Sequence, residues 1–297
     1  MRTIRNVHQR IIDAPPAAVG ALLDRLAGED DPLFPTPAWE AMRFDRPLGV
    51  GADGGHGSAR YHVSAYEPGR SIRFDSPGMN GHHRFDVEPV DGGARCRLVH
   101  TLEMRPGMAG TLSWTLAVRP MHDVVVEEVL DNAERAATGR LARPATRWSP
   151  WVRALHRLAY GRPVAAAVPR EARLARGAFD RTDFSDAWRL PLERGMDRDP
   201  GAWRGVLPFP VRGAEGRELL LGKDARHLDF RASVLVGDDD VTLTTVVRTR
   251  TALGRLYFGV VRHLHPYAAR TALRRHHRRL ALAAPSAGER HRPRVTP

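Results

Sequence analysis

Through residues 94–105 every second position is apolar or weakly polar. Cys96, Leu98, His100, Leu102 and Met104 fall on one side, and Arg95, Arg97, Thr101, Glu103 and Arg105 on the other. A period of two marks a strand with one buried face. The apolar row must face the core, so His100 is carried inward with it. The same rule makes inner rows of Tyr61, Val63 and Ala65, of Ile72 with Phe74, and of His83 with Phe85 and Val87, and it turns His62 outward. Residues 5–13 read as a first strand, Ala17–Ala27 as a helix opened by Pro15-Pro16, and 41–45, 57–66, 71–75 and 82–90 as further strands. Asp91-Gly92-Gly93 between two alternating runs predicts a hairpin.

Beyond Pro106 the period changes. Leu112, Trp114, Leu116, Val118, Met121, Val125 and Val129 gather on one broad side of a helix expected over Gly110–Arg135, with Pro120 inside it. A proline there lacks the N–H and clashes with the preceding turn, so the helix should bend. The second half repeats this order. Strands are expected at 187–193, 217–221, 226–236 and 240–250, and a short helix at 200–207 capped by Asp199. A hairpin falls at Gly237-Asp238-Asp239, and a closing helix over Leu253–Leu282 contains Pro266. Leu253, Leu256, Tyr257, Val260, Leu264 and Tyr267 form its apolar stripe. Gly92 to Gly110 spans 18 positions and Gly237 to Gly254 spans 17, and both helices carry Val-Arg-x-x-His (Arg119 and His122; Arg262 and His265). Two copies of one order predict two tandem domains. The fold class expected is α+β, each domain an antiparallel curved sheet wrapped around a long C-terminal helix. The boundaries are 1–139, a basic proline-containing linker with a short helix at 140–164, a second domain at 165–282, and a disordered tail at 283–297. In the linker, Trp151, Leu155 and Leu158 are expected on one helix side.

Composition narrows the classes. The chain has 297 residues, 42% of them hydrophobic, which is enough for two cores. Its one cysteine, Cys96, excludes an internal disulfide and a cysteine metal cluster. No apolar run is long enough to span a bilayer, and none follows Arg2 and Arg5 as a signal peptide would, so a cytoplasmic location is expected. Residues 1–139 hold 15 basic and 19 acidic residues, net −4; the remainder holds 31 and 15, net +16. All but one of the basic residues, Lys223, are arginine. A basic half could meet anionic surfaces, and the arginines of the last helix (270, 274, 275, 278, 279) leave room for weak contact with an anionic membrane. They also complement the negative end of the helix dipole, which suffices to explain them. No aromatic–basic interleaving is present, so no specific nucleic acid is expected.

The order strand, Ala-Pro-Pro-Ala-Ala-Val helix, antiparallel meander with a Glu-Pro-Gly-Arg turn, and final helix resembles the helix-grip superfamily. That superfamily includes START domains, birch-pollen-type allergens and polyketide cyclases. Ile12–Val19 is the most specific part. The resemblance implies a curved sheet wrapping the last helix around an apolar cavity. Residues 165–282 resemble a bacterial domain family of unknown function found fused to sugar-epimerase-like proteins. That likeness rests on Asp183–Ala187, Gly222–Phe230 and Leu253–Phe258 through His265-Pro266, and this half looks like a reduced helix-grip. Neither resemblance fixes a reaction.

The expected function is therefore binding of an apolar small molecule, a lipid, polyketide or aromatic, in the first domain's cavity. Tyr61, Phe74, Phe85, His100, Leu102, Met104 and Trp114 are the expected lining. One alternative is a cyclase or dehydratase with His100 as acid or base and Arg119 steadying an enolate oxygen. A second is an interaction protein for anionic surfaces. No phosphate loop, dinucleotide fingerprint, nucleophile elbow or His-Glu-x-x-His motif is present, and no cofactor is expected. No metal is expected either, because His82-His83 would need a third ligand that the sequence does not name. Glu127-Glu128 and Asp131 do not form a catalytic carboxylate pair, since adjacent helical residues do not share a face.

Overall fold

The structure, a computed structural model, describes residues 3–291, so residues 292–297 of the expected tail lie outside it. The described chain divides into two compact units: Tyr160–Ala284, and the described residues on either side of it. Both are α+β with wholly antiparallel sheets.

In the first unit the strands are β1 (Ile4–Ile12), β2 (Arg43–Phe44), β3 (Asp53–His56), β4 (Ala59–Glu67), β5 (Ser71–Ser76), β6 (Gly81–Val90) and β7 (Arg95–Met104). They form one seven-stranded sheet in the order β1-β7-β6-β5-β4-β3-β2. The hairpin at Asp91–Gly93 joins β6 to β7, with Gly92 and Gly93 at φ 67° and 94°, where glycine costs nothing. Helix α1 (Pro16–Leu23) starts on its proline. The closing helix begins as α2 (Met108–Ser113), passes through a π turn (Trp114–Val118) and continues as α3 (Arg119–Thr138). The π turn has a cause. Pro120 cannot donate to the carbonyl of Leu116, and that carbonyl instead accepts from Trp151 Nε1 at 2.8 Å.

The core lies between sheet and helices. Ile12, Val63, Ile72, Phe74, Leu98, Val129 and Leu130 are at most 3% exposed within it. The inner row of β7 is buried at every position from Cys96 to Met104. Ala65 corrects the reading of β4. The register slips between Val63 and Ala65, and this bulge turns Ala65 to solvent and brings Tyr66 against the core. Leu112 and Leu116, expected in the helix stripe, are 62% and 54% exposed, while Trp114 is buried. The short strand β3 was not expected.

The segment expected as a linker belongs in part to the first unit. Helix α4 (Pro150–Ala159) buries Val152 and His156, not the Trp151 and Leu158 expected, which are 54% and 71% exposed. His156 Nε2 meets the carbonyl of Ala38 at 2.9 Å, and that polar anchor turns the helix.

In the second unit the strands are β8 (Val164–Ala166), β9 (Phe184–Pro191), β10 (Val211–Glu215), β11 (Glu218–Asp224), β12 (Leu228–Val236) and β13 (Asp240–Thr249). Their order is β10-β11-β12-β13-β9-β8. Short helix α5 (Arg173–Arg176) packs Ala172 and Ala175 on Val246, so β13 is buried on both faces. The short helix expected at 200–207 is a single 3-10 turn, Pro200–Trp203, and Asp199 accepts from the Gly201 N–H as its cap. Helix α6 (Ala252–Ala283) overturns the expected stripe. Leu253, Leu256, Tyr257, Val260, Leu264 and Tyr267 are 57–78% exposed, and Gly254, Phe258, Ala269, Leu273, His276, His277 and Ala281 are the buried ones.

The described part of the tail expected to be disordered is ordered. Helix α7 (Ala287–Arg290) has a full capping box from Ser286 and Glu289, and Ala287 is completely buried.

Candidate functional site

The register of β6 and β7 sets His83 opposite Leu102 and Phe85 opposite His100. His83 and His100 are therefore diagonal neighbours on the inner face, within reach of each other. They are 5% and 2% exposed, and His83 Nδ1 lies 3.3 Å from His100 Nε2. His122, on the first turn of α3, completes the group from the helix side. The three ring centroids are 5.4, 5.4 and 5.1 Å apart, close to an equilateral triangle. Four of the six ring nitrogens, His83 Nε2, His100 Nδ1 and both of His122, are buried with no hydrogen-bond partner among the described residues.

Aromatic rings enclose the triangle. Tyr61 meets His83 edge-on at 5.3 Å, Phe85 meets His100 at 4.7 Å and Trp114 meets His122 at 5.4 Å. The histidines thus join two apolar clusters, one containing Tyr61, Phe74 and Phe85, the other Leu102, Met104 and Trp114. Every expected lining residue is buried, each in contact with other side chains of the core.

Outside Tyr61 there is open space. A concavity of about 410 Å³ is lined by Arg43, Asp53, Gly54, Gly55, Arg60, Tyr61, His62 and Pro77. Tyr61 therefore has one side on this hollow and the other on His83. Its hydroxyl lies 3.1 Å from His56 Nε2.

Protonation differs sharply across the site. Burial pushes His83, His100 and His122 below the usual imidazole range, so all three are neutral near pH 7. Burial likewise holds His56 down to about 4 and pushes the Tyr61 hydroxyl up. His8 is the opposite case. Burial works against its charge, but hydrogen bonds to Asp123 and Glu127, at 3.1 and 2.8 Å, push it up to about 9. A cationic His8 with its two carboxylates thus borders a neutral trio.

Arg119 does not join the site. Its side chain is 57% exposed and pairs with Asp123 at 3.4 Å. Its repeat partner Arg262 is also exposed. His265 ties α6 to the sheet through Thr245 Oγ1 at 3.0 Å and Asp186 Oδ1 at 3.3 Å. Sequence reasoning placed His83 and His100 on inner rows but did not join them. Counting back from the hairpin at 91–93 would have done so. That His122 meets them depends on how the helix crosses the sheet, which no local pattern records.

Comparison with known proteins gives the following. Residues 130–272 match a family described as "Protein of unknown function (DUF2867)". No curated protein matches the sequence. Among solved structures, a conserved protein of unknown function from Enterococcus faecalis is similar at 13% identity and a TM-score of 0.36, covering 53% of this chain and 82% of that one. Truncated norcoclaurine synthase from Thalictrum flavum is similar at 12% identity and 0.36, covering 47% and 96%. The Aha1 dimer from Colwellia psychrerythraea is similar at 14% identity and 0.33, covering 46% and 99%.

Proposed function

We propose that the first unit binds a small, largely apolar molecule carrying one polar group, with that group at the histidine triangle and the aromatic walls around the rest. The observation that carries this reading is the set of four unpartnered ring nitrogens behind Tyr61. A buried polar atom without a partner costs about 1–3 kcal/mol, so a ligand that hydrogen-bonds them recovers that cost. A neutral imidazole can donate or accept, which suits a hydroxyl or carbonyl. The hollow outside Tyr61 falls in the size range of small-molecule sites, roughly 300–1,000 Å³, and Tyr61 is the side chain that touches both it and His83. An apolar lining with a few converging polar groups is the usual make-up of such a site.

The test is fluorescence titration with a flat phenolic probe such as 1-naphthol, read through Trp114, which touches His122. Saturable quenching is expected, at least about tenfold weaker in His100→Leu, the loss of one good hydrogen bond. Quenching that is unsaturable, or equal in the two proteins, overturns the reading. If the triangle also performs acid–base chemistry, His100 is the candidate base, and Arg119 would have to leave Asp123 to assist it.

A further inference from the structure

We propose that His83, His100 and His122 together bind one divalent transition-metal ion of the zinc class. The inference concerns the same triangle but needs no organic ligand, so it stands or falls separately.

Three observations carry it. The first is distance. One nitrogen from each ring can be chosen so that all three lie within 4.8 Å of one another, and His83 Nδ1 and His100 Nε2 are already 3.3 Å apart. Two imidazole nitrogens bound to one tetrahedral zinc at about 2.0–2.1 Å stand about 3.4 Å from each other. The closest pair already has the spacing of two ligands of one ion, and the third nitrogen must close in from within 4.8 Å as the rings turn toward a common centre.

The second observation is chemical. Imidazole is a borderline ligand that suits zinc, copper, nickel and iron, and a ligating ring must be neutral. Within the triangle His83 Nδ1 and His100 Nε2 have only each other as partner and both nitrogens of His122 have none, so an ion between the three rings would replace that one contact and give His122 a partner. The exposed histidines of the same region are different: His62 is 45% exposed and already occupied by Asp53 at 2.9 Å.

The third is the surroundings of the triangle. His122 Nδ1 stands 3.7 Å from Asp123 Oδ1, just beyond hydrogen-bond range. Ligation through His122 Nε2 would turn Nδ1–H toward that carboxylate, the usual support for a metal-bound histidine. Asp123 is itself held by Asn6 at 3.0 Å and by His8. Three protein ligands leave at least one coordination position for water or a small molecule, the pattern of reactive zinc centres rather than closed structural ones. Since two ligands come from β6 and β7 and one from α3, the ion would also fasten the closing helix to the sheet.

The experiment uses the full chain, stripped with chelator and titrated with Zn²⁺ or Co²⁺. One equivalent is expected to bind and to raise the melting temperature, because it binds the folded chain alone. Bound Co²⁺ should show the intense visible bands of a tetrahedral site. His100→Gln and His122→Gln, each checked by circular dichroism, should lose that equivalent, while His62→Gln and His82→Gln keep it. X-ray absorption on the zinc-loaded natural chain gives an answer free of any folding defect in the variants, and three imidazoles are expected in the first shell. No binding, a first shell with fewer than three imidazoles, or binding that survives in folded His100→Gln overturns the proposal.

Discussion

At the scale of single residues, burial decides what each ionisable group does. Glu128 is the sharpest case outside the histidine site. Trp39 Nε1 and Trp148 Nε1 each donate to one of its carboxyl oxygens at 2.7 Å. Even so, burial pushes it up to about 7, with the charge of Asp131 acting in the same direction. The folded chain holds this proton more tightly than the unfolded chain, whose value is near 4.5. Its contribution is therefore most favourable below about pH 4.5 and is lost as pH rises through 7, on the order of 3 kcal/mol in full. The buried histidines held below their usual range act in the opposite sense, so the effect is read as a difference: in thermal melts across pH 5–8, Glu128→Gln should gain stability relative to the natural chain as pH rises. Titrating histidines contribute equally to both proteins, so an unchanged slope in the variant would show that Glu128 is not responsible. Nothing in the sequence pointed to this pair of indoles, because Trp39 and Trp148 flank Glu128 from 89 and 20 positions away.

At the scale of elements, alternation was a sound guide where one face of a strand meets the core, and a poor one where the backbone itself comes close. The β7 row, from Cys96 to Met104, was legible because each inner residue is large and apolar or is a histidine carried between such residues. The bulge that turns Ala65 outward left no mark in the pattern. Helix α6 misled for a different reason. Its exposed side has the greater number of bulky apolar residues, while its buried side mixes Phe258, Leu273, His276 and His277 with the small Gly254, Ala269 and Ala281. At Gly254 a Cβ would meet the His227 carbonyl at 2.1 Å, so that turn is held by contact distance rather than by hydrophobicity. Glu127, Asp131 and Glu134 recur along one side of α3 and converge on buried Arg10 of β1 at 3.2, 2.8 and 2.7 Å. These acidic residues thus tie the first strand to the closing helix. Arg10→Ala leaves buried carboxylates without their cation and should cost about 3–5 kcal/mol. Chemical denaturation checks this, and a loss under about 1 kcal/mol would mean that solvent and Arg143, which also reaches Glu127, take over the role.

At the scale of the whole molecule, the last strand of each unit in chain order pairs with the first long strand of that unit, β7 with β1 and β13 with β9. We propose on this ground that the two halves are related helix-grip copies that fold separately. The boundary matters for testing it. A fragment of residues 1–140 lacks Trp148 and α4, and with them one indole on Glu128, the His156 contact to Ala38 and the ring cover over Trp39. A fragment of residues 1–159 keeps all three and should melt cooperatively, whereas 1–140 should not. The longer fragment still lacks α7. In the full chain Arg135 donates to Ser286 at 2.9 Å and Arg290 to the Thr36 carbonyl at 3.1 Å, while Gly288 sits so close to Asn132 that a Cβ there would stand 2.7 Å from its backbone. The 1–159 fragment should therefore be less stable than the same unit in the full chain, and a peptide of residues 284–291 added in trans should raise its melting temperature. The same peptide carrying Gly288→Leu should not, because the new side chain cannot occupy the space that the Asn132 backbone fills. Equal melting with and without the natural peptide would show that α7 covers the unit without stabilising it.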